Sequence, residues 1–329
     1  MSTHDCPVVK IAMKPHPNAD ALSVMEVTGW EVCLRTEDWT DGQLAVYVPP
    51  DYVVPESELF VWLKSSSKNW NRIRTRKFRN RYSHGIMVPA PEGLKEGDNA
   101  MEALGIIRYE PPLPLSAGGD NERGPAGFYP KYDVENYQRY KAAFTVGEEV
   151  VATEKIHGAN ARFVWIEDRI WAGSRTNWKA QDEKNLWWQA LAQNPWIEEW
   201  CNRNEGLVVY GEVFGQVQNL KYGSKPGQVF FRAFDILHHD RWMDYDEARN
   251  KARMFSRWEA DLCWVPEVYR GPFDEEALIE FAMGDSAFAD ASHMREGVVV
   301  RPVKERKDPD LGRVQLKIVS PRYLEKAKD

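Results

Sequence analysis

Apolar and polar positions alternate over residues 149–156, with Val150, Ala152, Glu154 and Ile156 on one face and Glu149, Val151, Thr153 and Lys155 on the other. That period of two predicts a strand. Gly158-Ala159-Asn160 follows as a turn, and Arg162-Phe163-Val164-Trp165 reads as the hairpin partner returning from it. Further apolar runs at 207–211 and 229–233 predict strands, and Val298-Val299-Val300 predicts one buried on both faces. Ahead of these, short strands at 8–11, 21–27, 31–34 and 44–48 are separated by turns at 15–20, Gly29 and Asp41-Gly42. Several short strands in succession predict a small β-barrel. Helical periodicity is confined to inserts: 184–191, a helix capped by Asp244 and running toward Trp258, another capped by Asp274 through Phe281, and a closing helix over 321–328 with Pro321 in its first turn. The fold class is therefore α+β: an amino-terminal OB-like barrel over 1–110, a proline- and glycine-rich linker over 111–140, and a domain of antiparallel sheets with flanking helices over 141–329.

At 329 residues, 43% of them hydrophobic, the chain can bury two ordinary cores. Cys6, Cys33, Cys201 and Cys263 form no C-x-x-C pair, and the histidines, including the adjacent His238-His239, lack ligand spacing, so neither a zinc site nor a disulfide framework is expected. The amino terminus has no apolar leader and no run approaches the roughly 18 apolar residues of a membrane span. A cytoplasmic, reducing location is the expectation. Net charge of −7 excludes a protein that coats nucleic acid indiscriminately. Local charge says more, because no acidic residue stands between Glu58 and Glu92. That interval carries Lys64, Lys68, Arg72, Arg74, Arg76, Lys77, Arg79 and Arg81, interleaved with Trp62, Trp70, Phe78 and Tyr82. Cations attract phosphate and rings stack on bases, so Arg72, Arg74, Arg76, Lys77 and Arg79 are candidate nucleic-acid contacts; the plainer alternative is a solvated basic face.

Candidate chemistry centres on Lys155. A free lysine amine has a pKa of about 10.4, so roughly 0.04% is neutral at pH 7, and reaching 7 takes about 4.6 kcal/mol. Burial and nearby cations, a bound metal included, can supply that. Gly158 permits close approach of backbone and ligand, and Asn160 offers a donor and an acceptor. Glu212 ends the 207–211 run beside Gly211, where it can hold a sugar hydroxyl or a metal-bound water, or simply face solvent. Phe234 and Asp235 leave their strand on opposite sides, and Glu296-Gly297 precedes the valine run.

Taken in order, Lys155-Ile156-His157-Gly158-Ala159-Asn160, Gly173-Ser174-Arg175-Thr176, Tyr210-Gly211-Glu212, Phe231 to Asp235, Glu296-Gly297 and Leu316-Lys317-Ile318 resemble the motifs of covalent nucleotidyltransferases: ATP-dependent DNA ligases, RNA ligases and mRNA capping enzymes. The resemblance spans residues 149–326. It implies a nucleotidyltransferase (ATP-grasp-like ligase) domain in which Lys155 attacks the α-phosphorus of ATP, releasing pyrophosphate and leaving lysyl-AMP. It assigns ATP binding to Glu154, Ile156, Asn160, Arg175, Glu212, Phe234 and Lys317. Among these, Phe234 stacks on adenine, and Arg175 and Lys317 contact phosphate. Glu212 and Glu296 serve Mg²⁺ or Mn²⁺, Glu296 through water, with His157, Gly158, Ser174 and Asp235 in support. DNA ligases and capping enzymes carry their OB module after the last motif, whereas about a dozen residues follow Lys317 here and the barrel comes first. That order, with the His16 to Leu22 segment, resembles RNA ligases with an amino-terminal OB domain, RNA ligase family 5. Their resemblance implies transfer of AMP to a 5′-phosphate and attack by a 3′-OH, sealing nicks that carry an RNA 3′-OH end. The implied partner is nucleic acid, with no membrane and no obligate protein partner. His157 stands where many relatives have aspartate, and Val319 where many have a second lysine, for which Arg313 or Arg322 can compensate. Competing readings are a non-catalytic RNA-binding protein with a degenerate ligase domain and a capping-type guanylyltransferase. Retention of the whole motif set disfavours the first, and the missing carboxy-terminal module the second.

Overall fold

The computed structural model describes residues 5–65, 69–109, 119–253 and 263–326. The chain forms two compact units that divide at residue 111. In the first, the four predicted strands appear as Val8–Lys10, Leu22–Val27, Trp30–Arg35 and Leu44–Val48. Leu44–Val48 lies between Val8–Lys10 and Ile86–Pro89 in one sheet, while Leu22–Val27 and Trp30–Arg35 form a hairpin in another. Alternation along Leu44–Val48 serves two cores, with Val46 and Val48 in one and Ala45 and Tyr47 in the other. A second hairpin, Thr75–Phe78 with Arg81–His84, carries Arg76, Lys77, Arg79 and Arg81 of the basic interval.

The second unit is built on two sheets. A five-stranded sheet runs in the order Glu135–Asn136, Leu316–Val319, Gly297–Pro302, Glu149–Glu154, Glu267–Pro272. A seven-stranded sheet runs Asn121–Glu122, Trp178–Lys179, Arg169–Ser174, Ala159–Ile166, Leu207–Gly215, Val229–His238, Arg241–Trp242. The predicted hairpin between 149–156 and 162–165 does not form. Both edges of Glu149–Glu154 are taken by Glu267–Pro272 and Gly297–Pro302, and Ala159–Ile166 pairs with Arg169–Ser174 and Leu207–Gly215. The turn after Lys155 therefore carries the chain from one sheet to the other. Val150 and Ala152 enter one core while Val151 enters the larger one, as the alternation predicts; Ile156, beyond the strand end, joins Val151 rather than Val150.

The expected linker is mostly structure. Residues 111–118 lie outside the described residues, but Asn121–Glu122 and Glu135–Asn136 are edge strands of the two sheets, and Tyr132 and Tyr137 are buried. Their aromatic area outweighs the flexibility that proline and glycine suggested. Helices Leu186–Gln193 and Trp196–Arg203 bury Trp187, Leu191, Ile197 and Trp200 in the larger core, the first helix capped by Asn185. Asp274 caps Glu275–Ala282 as predicted, its carboxylate accepting from the amide of Ala277. Asp244 precedes Tyr245–Arg253 but turns its carboxylate to Lys304 and the amide of Glu305; the predicted continuation to Trp258 lies outside the described residues.

Candidate active site

Lys155 follows the end of its strand, its amide donating to the carbonyl of Gly297. Its Nζ lies 2.5 Å from Glu296 Oε1, and His157 Nδ1 lies 3.2 Å from the other oxygen of the same carboxylate. Glu296 is thus shared by two neighbours on one turn. Gly158 continues that turn against the Leu207–Gly215 strand, where a β-carbon would collide with the Val213 carbonyl and crowd the Glu212 side chain. Asn160 pairs directly across from Glu212, so the two side chains share a face. The Asn160 Oδ1 is buried without a protein partner, an acceptor left for a ligand or water. Lys317 enters from the five-stranded sheet in the cross-strand row Thr153, Val299, Lys317, on the face where Val151 meets the larger core. Lys155, Glu212, Glu296, His157 and Gly158 are therefore brought together where the two sheets meet.

Electrostatics divides the charged members into opposed states. Burial would raise Glu296, but the Lys155 ammonium and the His157 hydrogen bond outweigh it and hold the carboxyl down to about 2. Burial pushes Glu212 up to about 8 against the pull of Lys155, so its proton is held more tightly than that of an ordinary carboxyl until a cation displaces it. Burial presses the Lys155 amine downward, yet Glu296, by charge and hydrogen bond, and then Glu212 hold it above its ordinary value. A lysine poised as a neutral nucleophile was the expectation. In this arrangement it is an ammonium ion locked to a carboxylate, and it must leave Glu296 before it can attack anything. Replacing Glu296 by glutamine removes the larger raising influence while burial stays, so the Lys155 pKa should fall. The check is the pH dependence of Lys155 acylation by an amine reagent, followed by mass spectrometry; an unmoved midpoint would refute the assignment.

Other predicted residues take different places. Glu154 points away from Lys155, its carboxylate accepting from Ser286 Oγ at 2.7 Å and the Ala287 amide at 2.6 Å. Ile156 is packed in the larger core. Neither side chain joins the Lys155–Glu296 pair. Arg175 is half-exposed and paired with Asp133 at 3.0 Å, yet close enough to Glu212 to favour its ionised form. The Ser174 hydroxyl organises its own turn, donating to the Asn177 carbonyl and accepting from the Thr176 and Asn177 amides. A register shift between Tyr210 and Gly211 leaves Phe234 as the extra residue of its strand, its ring 4.6 Å from that of Tyr132. Asp235 is wholly buried and bound to Tyr132, Arg301 and Arg313. Arg313 is thereby committed, and Arg322 pairs with Asp285, so both arginines expected to stand in for the lysine absent at Val319 have carboxylate partners of their own.

Tyr222 and Tyr323 went unpredicted. The Tyr222 hydroxyl accepts from the His157 amide at 2.7 Å, and Tyr323 Oη lies 3.4 Å from His157 Nδ1. Tyr323 lies in the closing helix and Tyr222 in a polar connection, and the sequence marks neither as a site residue.

In the first unit, Arg72 is spent on the fold. It pairs with Asp51 at 2.7 Å and lies 3.6 Å over the Tyr109 ring. Arg74 is half-buried, whereas Arg76, Lys77, Phe78 and Arg79 are exposed on the second hairpin. Arg79 and Asn80 form its tip with φ of 46° and 71°, and Asn18 Nδ2 donates to the Arg79 carbonyl. Among the described residues no group of three or more His, Cys, Asp or Glu is arranged to hold a metal, and no helix is long and apolar enough to cross a membrane.

An RNA ligase family model matches residues 148–319, just over half the chain, and an OB-fold domain model matches residues 7–90. The chain belongs to the RNA ligase family, a family of enzymes that join RNA ends. Its fold is similar to that of a lysine-to-alanine variant of Naegleria gruberi RNA ligase with ATP and Mn, over 98% of each chain, with a TM-score of 0.79 at 22% identity. The same ligase with PPi matches over 98% of each chain at TM-score 0.79 and 24% identity. An apo aspartate-to-alanine variant matches over 100% of each chain at TM-score 0.80 and 24% identity. This likeness establishes an amino-terminal OB-fold unit ahead of a ligase unit. No curated protein matches the chain by sequence.

Proposed function

We propose that this chain is an ATP-dependent RNA ligase that works through a lysyl-AMP formed on Lys155, and that it seals nicks whose 3′-OH end is RNA. The observation that carries the reading is the Lys155–Glu296–His157 cluster facing Glu212 and the unpartnered Asn160 oxygen. In the first step the Lys155 amine, freed of its extra proton and released from Glu296, bonds to the α-phosphorus as the bond to pyrophosphate breaks. Asn160 and Glu212 suit the nucleoside, Lys317 and Arg175 the phosphates, and Phe234 the adenine. Glu154 and Ile156 contribute backbone only, since both side chains are engaged elsewhere.

Mg²⁺ or Mn²⁺ fits the donor set. Two carboxylates, Glu212 and Glu296, are too few for an all-protein cage but are what a hard cation needs when it also binds phosphates and water. Such a cation neutralises the phosphates toward an approaching nucleophile. AMP then passes to a 5′-phosphate, and a 3′-OH displaces it to form the phosphodiester. The decisive experiment incubates the chain with a divalent cation and α-labelled ATP, GTP or NAD⁺ and looks for label that stays on the denatured chain, survives alkali and is released by acid, as a lysine phosphoramidate is. Label from ATP is expected; none from any nucleotide would sink the reading. Nicked duplexes ending in ribose or deoxyribose then decide the RNA requirement.

The second hairpin is the proposed nucleic-acid contact, because Arg76, Lys77 and Arg79 surround an exposed Phe78 on an ordered turn. Changing all three cations to alanine should reduce the salt slope of duplex binding by up to about 2.7, at about 0.9 per phosphate contact. Titrations of a nicked duplex across salt concentrations measure it, and an unchanged slope would move the contact elsewhere. The Arg72 change should instead act on stability of the first unit.

A further inference from the structure

Three segments from distant parts of the second unit meet at the turn behind Lys155. One is the turn itself, residues 155–158; the second is the 216–228 connection, which carries Tyr222; the third is the 284–296 connection, which ends on Glu296. Tyr222 touches the other two. Its hydroxyl accepts the His157 amide at 2.7 Å, its own amide donates to His293 Nε2 at 3.3 Å, and its ring meets His293 edge-on at 4.7 Å. Phe214 and Phe288 close around the same ring at 5.1 Å each.

The His157 amide needs such a partner. The Glu149–Glu154 strand has ended and Ala159–Ile166 has not begun, so no ladder supplies an acceptor at 157. Tyr222 reaches it from a left-handed backbone, with φ of 51°, followed by Gly223 at 74°. A bulky aromatic residue in that region is strained and persists only where its surroundings over-determine it. Here the packed ring and two hydrogen bonds do so, and the phenol is delivered to one backbone atom two residues beyond the nucleophile.

We propose that Tyr222 is a positioning residue for adenylation: its hydroxyl fixes the turn so that Lys155 and His157 address the two oxygens of Glu296 together and the amine is presented in one direction. The inference rests on the lysyl-AMP reading above. Tyr222 acts through the turn rather than on ATP, so its effect belongs to the step in which Lys155 moves. Later steps use a 5′-adenylylated strand and do not need the amine as a nucleophile.

Tyr222→Phe removes one oxygen and keeps the ring against Phe214, Phe288 and His293. Two single-turnover rates are compared in the full chain with a divalent cation: formation of labelled lysyl-AMP over a range of ATP concentrations, and sealing of a nick whose 5′ end is already adenylylated. The expected result is at least a tenfold fall in the maximal adenylation rate, with half-saturating ATP changed less than threefold and pre-adenylylated sealing within twofold of the unsubstituted chain. Adenylation at the unsubstituted rate overturns the inference. Equal losses in both reactions also overturn it, because they mark a general structural role. Absence of label in the unsubstituted chain refutes the lysyl-AMP reading itself, and the inference with it, so the two failures are distinguishable.

Discussion

Lys155→Ala should lose labelled adduct formation from ATP by at least about a thousandfold, roughly 4 kcal/mol of transition-state stabilisation, and should still seal a strand supplied already adenylylated. Alanine offers no nucleophile, and Lys155 is the amine that pairs with Glu296 at 2.5 Å. The substitution also changes the carboxylate. Glu296 is held down to about 2 against burial chiefly by Lys155, so without that ammonium its pKa should rise, with His157 still on its other oxygen. A companion substitution separates chemistry from charge. Lys155→Arg keeps a cation beside Glu296 but cannot deprotonate, so it should preserve the ion pair and carry no label. Both variants are assayed by label retained on the denatured chain and by sealing of the pre-adenylylated nick. Label on Lys155→Ala would place the adduct on another residue and end the assignment.

The same lysine shows what the sequence carries and what it withholds. Alternation placed it at a strand end, and the ordered motifs behind it named Glu212 and Glu296, which the fold brings to one place. Alternation reports faces, not partners, and so the hairpin expected after Gly158 is a crossing between two sheets. The resting charge of Lys155 is hidden for a related reason. Burial alone lowers a lysine, but Glu296 lies 141 positions away in the chain and 2.5 Å away in space. Arg72 reads as a nucleic-acid contact because the acid-free interval hides Asp51, 21 residues earlier. Tyr222 was beyond reading altogether: its importance comes from a left-handed backbone angle and an acceptor geometry that one tyrosine in a polar connection does not announce.

Asp235→Ala should cost about 3–5 kcal/mol of folding stability, the penalty for leaving buried charge uncompensated. Asp235 is wholly buried, and three groups converge on it: Tyr132 Oη donates at 2.7 Å, Arg313 Nη2 lies at 2.6 Å and Arg301 Nη1 at 3.2 Å. Arg301 comes from Gly297–Pro302 of the five-stranded sheet and Arg313 from the short Lys307–Asp308/Gly312–Arg313 ribbon, while Asp235 belongs to Val229–His238, so through Arg301 this one carboxylate ties the five-stranded sheet to the seven-stranded one. Glu305 also serves both arginines, at 2.7 Å to each. One carboxylate cannot balance two guanidinium ions whose side chains are 5% and 17% exposed, and the Tyr132 hydroxyl would lose its acceptor as well. The contrast is Asp133→Ala, which breaks solvent-facing pairs with Arg175 and Lys131, each worth only about 0–1 kcal/mol. Urea unfolding followed by tryptophan fluorescence compares them. A loss for Asp235→Ala no larger than for Asp133→Ala would mean that Glu305 and solvent suffice, and that the buried carboxylate is not what joins the sheets on which Lys155 and Glu212 are carried.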